Sequence, residues 1–228
     1  MKTIGLLGGM SWESTITYYK IINTVIKEQK GGLHSAKCLL YSVDFQEIEE
    51  CQTSGNWQKS AQILTDAAKR LQTAGADFIV ICTNTMHKVA DSIKAGISIP
   101  ILHIADVTAE ALKKDAVQKT ALLGTKYTME QDFYKARLLG SGVNVIIPNK
   151  VDRELINSII YNELCLGIIS DDSRQKLLTI LERLAARGAQ AAILGCTEIG
   201  LLIRQQDTPI PLYDTTLLHA SQAALSSI

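Results

Sequence analysis

The sequence predicts an α/β protein with two pseudo-symmetric domains, each a parallel sheet flanked by helices. Two observations support the fold class: short apolar runs that suit buried strands alternate with segments of helical periodicity, and Gly or polar residues stand where a strand gives way to a helix. A third supports the duplication, because the order of these landmarks in the first half recurs in the second. The alternation favours parallel strands joined by helical crossovers.

In the first half, the Gly8-Gly9 turn separates a buried strand from a helix that begins near Ser11. The glycines do not fit the G-x-G-x-x-G spacing, so we reject a dinucleotide-binding turn. Apolar positions at helical spacing predict further helices over residues 57–72 and from residue 85 onward. The strands expected in this half are 3–7, 37–44, 78–82 and 99–104.

In the second half the same units continue to the end of the chain. Helices are expected at 135–139, 156–165 and 174–187, followed by a C-terminal helix rich in Ala, Leu and Ser. The expected strands are 119–124, 143–147, 191–194 and a last short one at 211–213.

Three pairs of segments carry the internal repeat. KTIGLLGG matches KTALLGTKYT, ADFIVICTNT matches AQAAILGCTE, and SIPILHIADVTAEAL matches TPIPLYDTTLLHASQ. The alternative is that any two β-α-β runs look alike. The repeat predicts a first lobe of residues 1–105 plus 212–228 and a second lobe of residues 106–211.

Composition excludes several classes of protein. Lys and Arg together number 23 and so do Asp and Glu, so no global charge favours nucleic acid or an anionic membrane. The five cysteines are widely spaced without a C-x-x-C pair, which argues against a disulfide framework and a zinc site. Neither a signal peptide nor a membrane span is apparent, so we expect a cytoplasmic protein.

Polar residues end two of the apolar strands, with CTNT at 82–85 and CTE at 196–198. Ligands bind at such strand ends in open parallel sheets. A thiol at a helix N-terminus is expected to have a lowered pKa and to serve as a base. Neighbouring hydroxyl, amide and N–H groups can hold a carboxylate. The alternative for Cys196 is a small buried hydrophobic residue.

The segments ICTNTMHK and AILGCTEIGLL resemble the two signature segments of the aspartate/glutamate racemase superfamily. GGMSWEST resembles the branch that holds the broad-specificity and the L-specific aspartate/glutamate racemases. The resemblance covers the whole chain. It implies two α/β domains with the active site in the cleft, no cofactor, a homodimer, and a two-base 1,1-proton transfer at the α-carbon of a small amino-acid substrate.

The sequence departs from the superfamily pattern in the first signature. Most members have Cys directly before the Asn-Thr pair, whereas this chain has Thr83 there and Cys82 one residue earlier. Adjacent strand residues face opposite sides, so we expect Cys82 to point into the core. Thr83 then takes the first acid/base position, although its hydroxyl is a poor base at neutral pH. In similar enzymes the second-lobe cysteine faces the α-hydrogen of the L-enantiomer, so the resemblance implies that Cys196 deprotonates the L-substrate and Thr83 reprotonates it, with slow conversion from the D side.

The resemblance and the strand ends also suggest substrate-binding residues. Glu198 could orient the neighbouring thiol, bind the substrate ammonium or stabilise a helix dipole, and Gln52 could instead lie in a surface loop. His87 and His103 are expected to be structural. Many aspartate racemases carry a basic residue where this chain has Leu166, which weakens a strict aspartate assignment. The binding candidates are Met10, Ser11, Gln52, Asn84, Thr85, Thr125, Thr128, Thr197 and Glu198.

The sequence therefore predicts a cofactor-independent racemase of L-aspartate and L-glutamate. One alternative keeps the fold and changes the chemistry to a related cysteine-dependent isomerase or decarboxylase of a dicarboxylic acid or hydantoin. Another is a catalytically weak amino-acid-binding module, suggested by Thr83 in place of a stronger base.

Overall fold

The computed structural model of the chain describes residues 1–228, which form eight strands and eleven α-helices. None of the helices combines the length and the apolar character that crossing a membrane requires. The strands are β1 (Ile4–Gly8), β2 (Cys38–Ser42), β3 (Phe78–Ile81), β4 (Ile101–Leu102), β5 (Lys119–Gly124), β6 (Asn144–Ile146), β7 (Ala191–Gly195) and β8 (Leu212–Asp214).

The helices connect consecutive strands, as the alternation of patterns predicts. They are α1 (Trp12–Lys30), α2 (Phe45–Thr53), α3 (Trp57–Thr73), α4 (Ala90–Ala95), α5 (Ile104–Lys114), α6 (Lys126–Glu130), α7 (Asp132–Gly140), α8 (Lys150–Asn162), α9 (Asp171–Ala186), α10 (Ile199–Leu202) and α11 (Thr215–Ser227). Short 3₁₀ helices cover Thr85–Val89, Leu164–Leu166 and Gln205–Asp207.

Two four-stranded sheets share one topology. The first has the order β2-β1-β3-β4 and the second the order β6-β5-β7-β8. Every pair of neighbouring strands is parallel. The predicted fold class, two pseudo-symmetric α/β domains with parallel sheets, is confirmed.

The chain divides into two compact units whose limits differ from the expected lobes. One unit holds Met1–Ile104 and His219–Ile228, and the other holds Ala105–Leu218. The expected return to the first lobe at residue 212 falls too early, because β8 pairs with β7 in the second sheet. The return lies instead inside α11, whose first residues belong to the second unit and whose last ten residues belong to the first.

Alternation along β3 gives the first unit a core on each face of its sheet. Phe78, Val80 and Cys82 pack with buried residues of α1 and α11, while Ile79 and Ile81 pack with α3. Successive strand side chains point to opposite faces, so one short apolar run serves both layers. The second unit has a single cluster in which β5 and β7 pack against α8 and α9.

Two local features differ from the sequence prediction. The strand expected over 99–104 is only Ile101–Leu102, because α5 begins at Ile104. The Gly8-Gly9 turn is present, and Gly9 has φ +91. A Cβ at Gly9 would clash, because it would lie 2.2 Å from the Val43 carbonyl oxygen. Only glycine fits this turn without strain.

Candidate active site

The end of β3 places the first group of candidates in buried positions. Thr83, Asn84 and Thr85 are 8%, 2% and 5% exposed, and a 3₁₀ helix begins at Thr85. Cys82 lies in the core between β3 and the α1/α11 layer, as predicted. Burial, with a smaller effect of the nearby Cys38 thiol, raises the pKa of Cys82 far above its ordinary value. Cys82 is therefore inert packing, and Thr83 is the side chain that follows the strand.

His87 fixes the backbone at Thr83. Its Nδ1 lies 2.8 Å from the Thr83 carbonyl oxygen, and the Ile104 N–H donates to its Nε2 at 3.2 Å. A carbonyl only accepts and a backbone N–H only donates, so the two contacts select the neutral tautomer with the proton on Nδ1. His87 is structural, as expected, and its ring contacts the backbone carbonyl of Thr83 directly.

A buried aromatic group extends from His87 into the first unit. The His103 ring lies 4.5 Å from the His87 ring, and the His219 ring lies 5.7 Å from it. His219 Nε2 donates to the Leu102 carbonyl at 2.9 Å, so its Nδ1 accepts the 2.8 Å hydrogen bond from the Tyr18 hydroxyl. Burial lowers the pKa of His219 to about 4, which keeps the ring neutral.

Sequence analysis did not identify Tyr18 and His219 as a buried hydrogen-bonded pair. They are 201 residues apart, beyond the reach of local periodicity. The one available signal was a histidine in the otherwise apolar segment TTLLHASQAAL.

The remaining candidates of the first unit follow β1 or lie on α2. Met10 and Ser11 are both 3% exposed, and the peptide bond between them is cis. Ser11 is the N-cap of α1, where its Oγ accepts from the Ser14 N–H at 3.3 Å. Gln52 is 4% exposed on α2 and donates to Met86 Sδ at 3.1 Å, so the surface-loop alternative for Gln52 is wrong.

In the second unit, β7 ends at Gly195 and three buried polar residues follow. Cys196 and Thr197 are each 8% exposed, and Glu198 is 3% exposed. Both side chains donate to one carboxylate oxygen: the Cys196 thiol at 3.0 Å and the Thr197 hydroxyl at 2.6 Å, each to Glu198 Oε2. The thiol proton thus points at a buried carboxylate.

The expectation of a lowered thiol pKa at Cys196 is wrong. Burial, reinforced by the Glu198 charge and the nearby Cys165 thiol, raises the pKa of Cys196 well above its ordinary value. The expectation assumed a helix beginning at the thiol, but α10 starts three residues later at Ile199 and has only four residues. So short a helix supplies little of the dipole that would favour a thiolate.

Thr125 and Thr128 stand beside the Cys196 segment. Thr125 is the N-cap of α6 and accepts from the Thr128 N–H at 3.3 Å, which repeats the arrangement of Ser11 on α1. Gly124 pairs with Gly195 in the sheet, and a Cβ at Gly195 would lie 3.3 Å from Thr128 Cγ2. The structure therefore brings these two hydroxyls to the same strand end as the thiol.

Asp214, which sequence analysis did not select, faces the same region from β8. Its Oδ1 accepts from the Thr216 and Leu217 N–H groups, and burial raises the pKa of its carboxyl. A Cβ on Gly200 of α10 would lie 2.5 Å from Asp214 Oδ2. The acidic residue directly after the apolar strand was the available signal. No group of three His, Cys, Asp or Glu side chains is placed to hold a metal ion.

Known proteins share both the sequence and the fold. Broad specificity amino-acid racemase RacX of Bacillus subtilis is 25% identical over 93% of this chain and 92% of its own. A crystal structure of a candidate Asp/Glu racemase from Yersinia pestis is 56% identical, with TM-score 0.93 over 100% of this chain and 99% of its own. An aspartate racemase homologue from Pyrococcus horikoshii is 34% identical, with TM-score 0.85 over the same shares.

The sequence profile of the Asp/Glu/hydantoin racemase family matches residues 7–223. That span contains both polar strand ends, at Thr83 and at Cys196, together with both four-stranded sheets apart from the first three residues of β1. The chain is an enzyme, a racemase that belongs to the Asp/Glu/hydantoin racemase family.

Proposed function

We propose that the chain racemises aspartate and glutamate by two-base proton transfer at the α-carbon, without a cofactor. The observation that carries the proposal is the pair of equivalent strand ends: β3 leads to Thr83 and β7 leads to Cys196, at the same place in two sheets of one topology. Racemisation needs one acid/base group on each face of the α-carbon. Each unit contributes one such group.

The groups around the two acid/base residues suit an amino-acid carboxylate. Asn84 and Thr85 offer an amide and a hydroxyl donor, and both are buried. Thr197, also proposed as a binding residue, directly follows Cys196 and is buried, with its hydroxyl donating to Glu198 Oε2. Such neutral donors hold a carboxylate without net positive charge. Met10, Ser11, Gln52, Thr125 and Thr128 complete the proposed binding residues.

The choice between the two acids rests on Leu166, which is 68% exposed and stands where many aspartate racemases carry a basic side chain. Without a cation at that position, we propose that both aspartate and glutamate are accepted. The names of RacX, a broad specificity racemase, and of the Pyrococcus aspartate racemase homologue support this range.

The two acid/base groups are chemically unequal. Cys196 carries a thiol that can form a thiolate, whereas the Thr83 hydroxyl can donate or relay a proton but is a poor base. In similar enzymes the cysteine of the second lobe faces the α-hydrogen of the L-enantiomer, so on this resemblance we propose the same face for Cys196 and the opposite face for Thr83. Since enantiomers have an equilibrium constant of one, the inequality is expected in exchange kinetics and in the binding of each enantiomer.

Exchange of the α-proton in deuterated water tests the function. The wild type is incubated with L- and D-aspartate and L- and D-glutamate, and deuterium incorporation is followed by NMR beside chiral chromatography. We expect faster exchange from the L-enantiomers and slow formation of the other enantiomer. Equal initial exchange from both enantiomers would contradict the assigned roles of Cys196 and Thr83.

A second chemistry is supported by the family itself, whose description includes hydantoin racemases. The same fold and thiol could serve a related cysteine-dependent isomerase or decarboxylase of a dicarboxylic acid or hydantoin. Chiral product analysis with hydantoins, and detection of CO₂ with dicarboxylic acids, separates these reactions from amino-acid racemisation. Substrate binding without any α-proton exchange would instead indicate the amino-acid-binding module.

We further infer a homodimer that works in the cytoplasm. Trp12, Ile16 and Tyr19 form an apolar stripe along one side of α1, and each is more than half exposed. All five cysteines are free thiols, which suits a reducing compartment. Light scattering should give about twice the chain mass of 24.9 kDa. The mass of a single chain would refute the dimer.

A further inference from the structure

A tyrosine of α1 and a histidine of α11 together hold the Leu102 carbonyl. The Tyr18 hydroxyl donates to His219 Nδ1 at 2.8 Å, and His219 Nε2 donates to the Leu102 carbonyl oxygen at 2.9 Å. Both side chains are fully buried. Packing alone does not call for them, because apolar side chains of similar shape would fill the same space at little cost in stability.

A second histidine connects the same backbone segment to Thr83. Two residues after Leu102, the Ile104 N–H donates to His87 Nε2 at 3.2 Å, and His87 Nδ1 donates to the Thr83 carbonyl at 2.8 Å. The segment 102–104 is therefore held at its carbonyl by His219 and at its N–H by His87. We call these four hydrogen bonds, from Tyr18 to Thr83, the histidine relay.

Every hydrogen bond of the histidine relay donates in the direction of Thr83. His219 accepts at Nδ1 and donates at Nε2, whereas His87 accepts at Nε2 and donates at Nδ1. Each ring is therefore held in a single neutral tautomer. Within each ring, the hydrogen bond accepted at one nitrogen strengthens the hydrogen bond donated by the other.

Thr83 depends on the histidine relay because the sheet no longer holds its carbonyl. β3 ends at Ile81, and the Thr83 N–H turns back to the Ile81 carbonyl at 2.9 Å. The Thr83 carbonyl bonds to the ring of His87. Position matters for an acid/base group, since a displacement of about 1 Å can cost about 100-fold in rate.

We propose that Tyr18 and His219 are positioning residues of the racemase, which hold Thr83 at the substrate through the segment 102–104 and His87. The inference rests on the proposed function, because it takes Thr83 as the second acid/base group. The histidine relay lies wholly within the first unit, whereas Cys196 belongs to the second. Loss of the relay should therefore impair the step at Thr83 and spare the step at the thiol.

The ratio of α-deuterium exchange to racemisation reads Thr83 separately from Cys196. His219→Asn keeps an amide but is too short to bring an N–H to the position of Nε2, so the Leu102 carbonyl loses its donor. With L-aspartate in deuterated water, racemisation should slow while exchange at the thiol falls much less, and the ratio should rise about tenfold. General destabilisation lowers both rates in parallel, so an unchanged ratio would overturn the proposal.

Three further variants in the full chain separate positioning from packing. His219→Gln places an amide N–H near the position of Nε2 and should restore a ratio close to that of the wild type; a ratio as high as in His219→Asn would refute the Leu102 contact. Tyr18→Phe removes one hydroxyl and should raise the ratio even where His219→Asn fails to fold, and an unchanged ratio there also counts against the proposal. Tyr134→Phe is the matched control, because this fully buried hydroxyl donates to Thr108 Oγ1 at 3.2 Å outside the relay.

A measurement without substrate separates this inference from the proposed function. The chain has four histidines, so nitrogen-15 NMR of histidine-labelled protein can follow each ring. In the wild type, His87 should carry its proton on Nδ1 and His219 on Nε2. In Tyr18→Phe and His219→Asn, the two ring nitrogens of His87 should move towards each other in shift as both tautomers become populated.

Unchanged His87 signals in both variants would overturn the histidine relay, whatever the activity. If the wild type racemises neither acid, the proposed function fails, and the NMR result alone decides whether Tyr18 and His219 act on His87.

Discussion

The ends of β3 and β7 occupy equivalent places in two sheets of one topology, yet they are supported by opposite chemistry. At Thr83, a neutral histidine donates to the backbone carbonyl. At Cys196, a carboxylate accepts from the side chain itself. The first arrangement fixes the backbone at Thr83, and the second engages the side chain of Cys196 itself. Two sheets of one topology thus share the positions of their strand ends but not the hydrogen-bond partners.

The largest expected effect comes from removing the thiol. Cys196→Ser keeps the size of the side chain but replaces the thiol by a hydroxyl, which makes both strand ends alike. Racemisation of L-aspartate should fall by about 10³-fold, the usual contribution of a general acid or base. Chiral chromatography measures the rate, and Cys165→Ser is the matched control. Retention of more than a tenth of the wild-type rate would contradict the role of Cys196.

Acid stability should separate the neutral histidines of the first unit from the carboxylate of the second. The folded-state pKa of His219, about 4, lies below its ordinary value of 6.5. The unfolded chain therefore binds the proton first, and stability is lost as pH falls from 6.5 towards 4, by up to about 3 kcal/mol.

Urea unfolding at pH 7.5 and pH 4.5 measures this loss. In His219→Gln the loss between the two pH values should be smaller, because the group that titrates has been removed. His34→Gln, which changes an exposed histidine, should behave like the wild type. Equal losses in wild type and His219→Gln would show that the ring does not titrate in this window.

Thr83→Ala is expected to lower racemisation about 100-fold while α-deuterium exchange from the L-enantiomer falls much less. The thiol still removes and returns a proton on its own face, so exchange proceeds with retention of configuration. The ratio of exchange to racemisation, from NMR and chiral chromatography on one sample, should therefore rise. A parallel fall of both rates would mean that Thr83 serves the common binding step.

The smallest effect is expected at His87, which acts through the backbone. His87→Asn keeps an N–H near the position of Nδ1 and should retain most activity. His87→Gln loses that donor to the Thr83 carbonyl and should lower kcat about tenfold with little change in KM. Thermal unfolding of both variants controls for general destabilisation, and equal kcat values in the two would refute a positioning role.

The strand ends could be read from the sequence because each combines a local apolar run with a polar stop. The placement of Cys82 in the core followed from simple alternation along β3. The failures arose where local pattern carries no information on distant partners or on helix length. The pKa of Cys196 was misjudged because the local sequence CTEIGLL shows neither the burial that raises this pKa nor the four-residue length of α10.

The expected lobes set the return to the first lobe at residue 212, before the last strand. The pairing of Leu194 with Asp214 places that strand in the second sheet. The repeat contained this signal, because it matches TPIPLYDTTLLHASQ with SIPILHIADVTAEAL, which holds the last strand of the first sheet.

The last helix has a consequence for synthesis on the ribosome. Ala220, Ala223 and Ala224 are fully buried in the core of the first unit, and the Ser227 carbonyl accepts from the Lys2 N–H at 2.8 Å. Domains fold as units while the chain emerges from its N-terminus. The second unit therefore has all its strands before the first has its covering helix. The first unit, most of which is synthesised first, therefore completes its core only after the second unit has been synthesised.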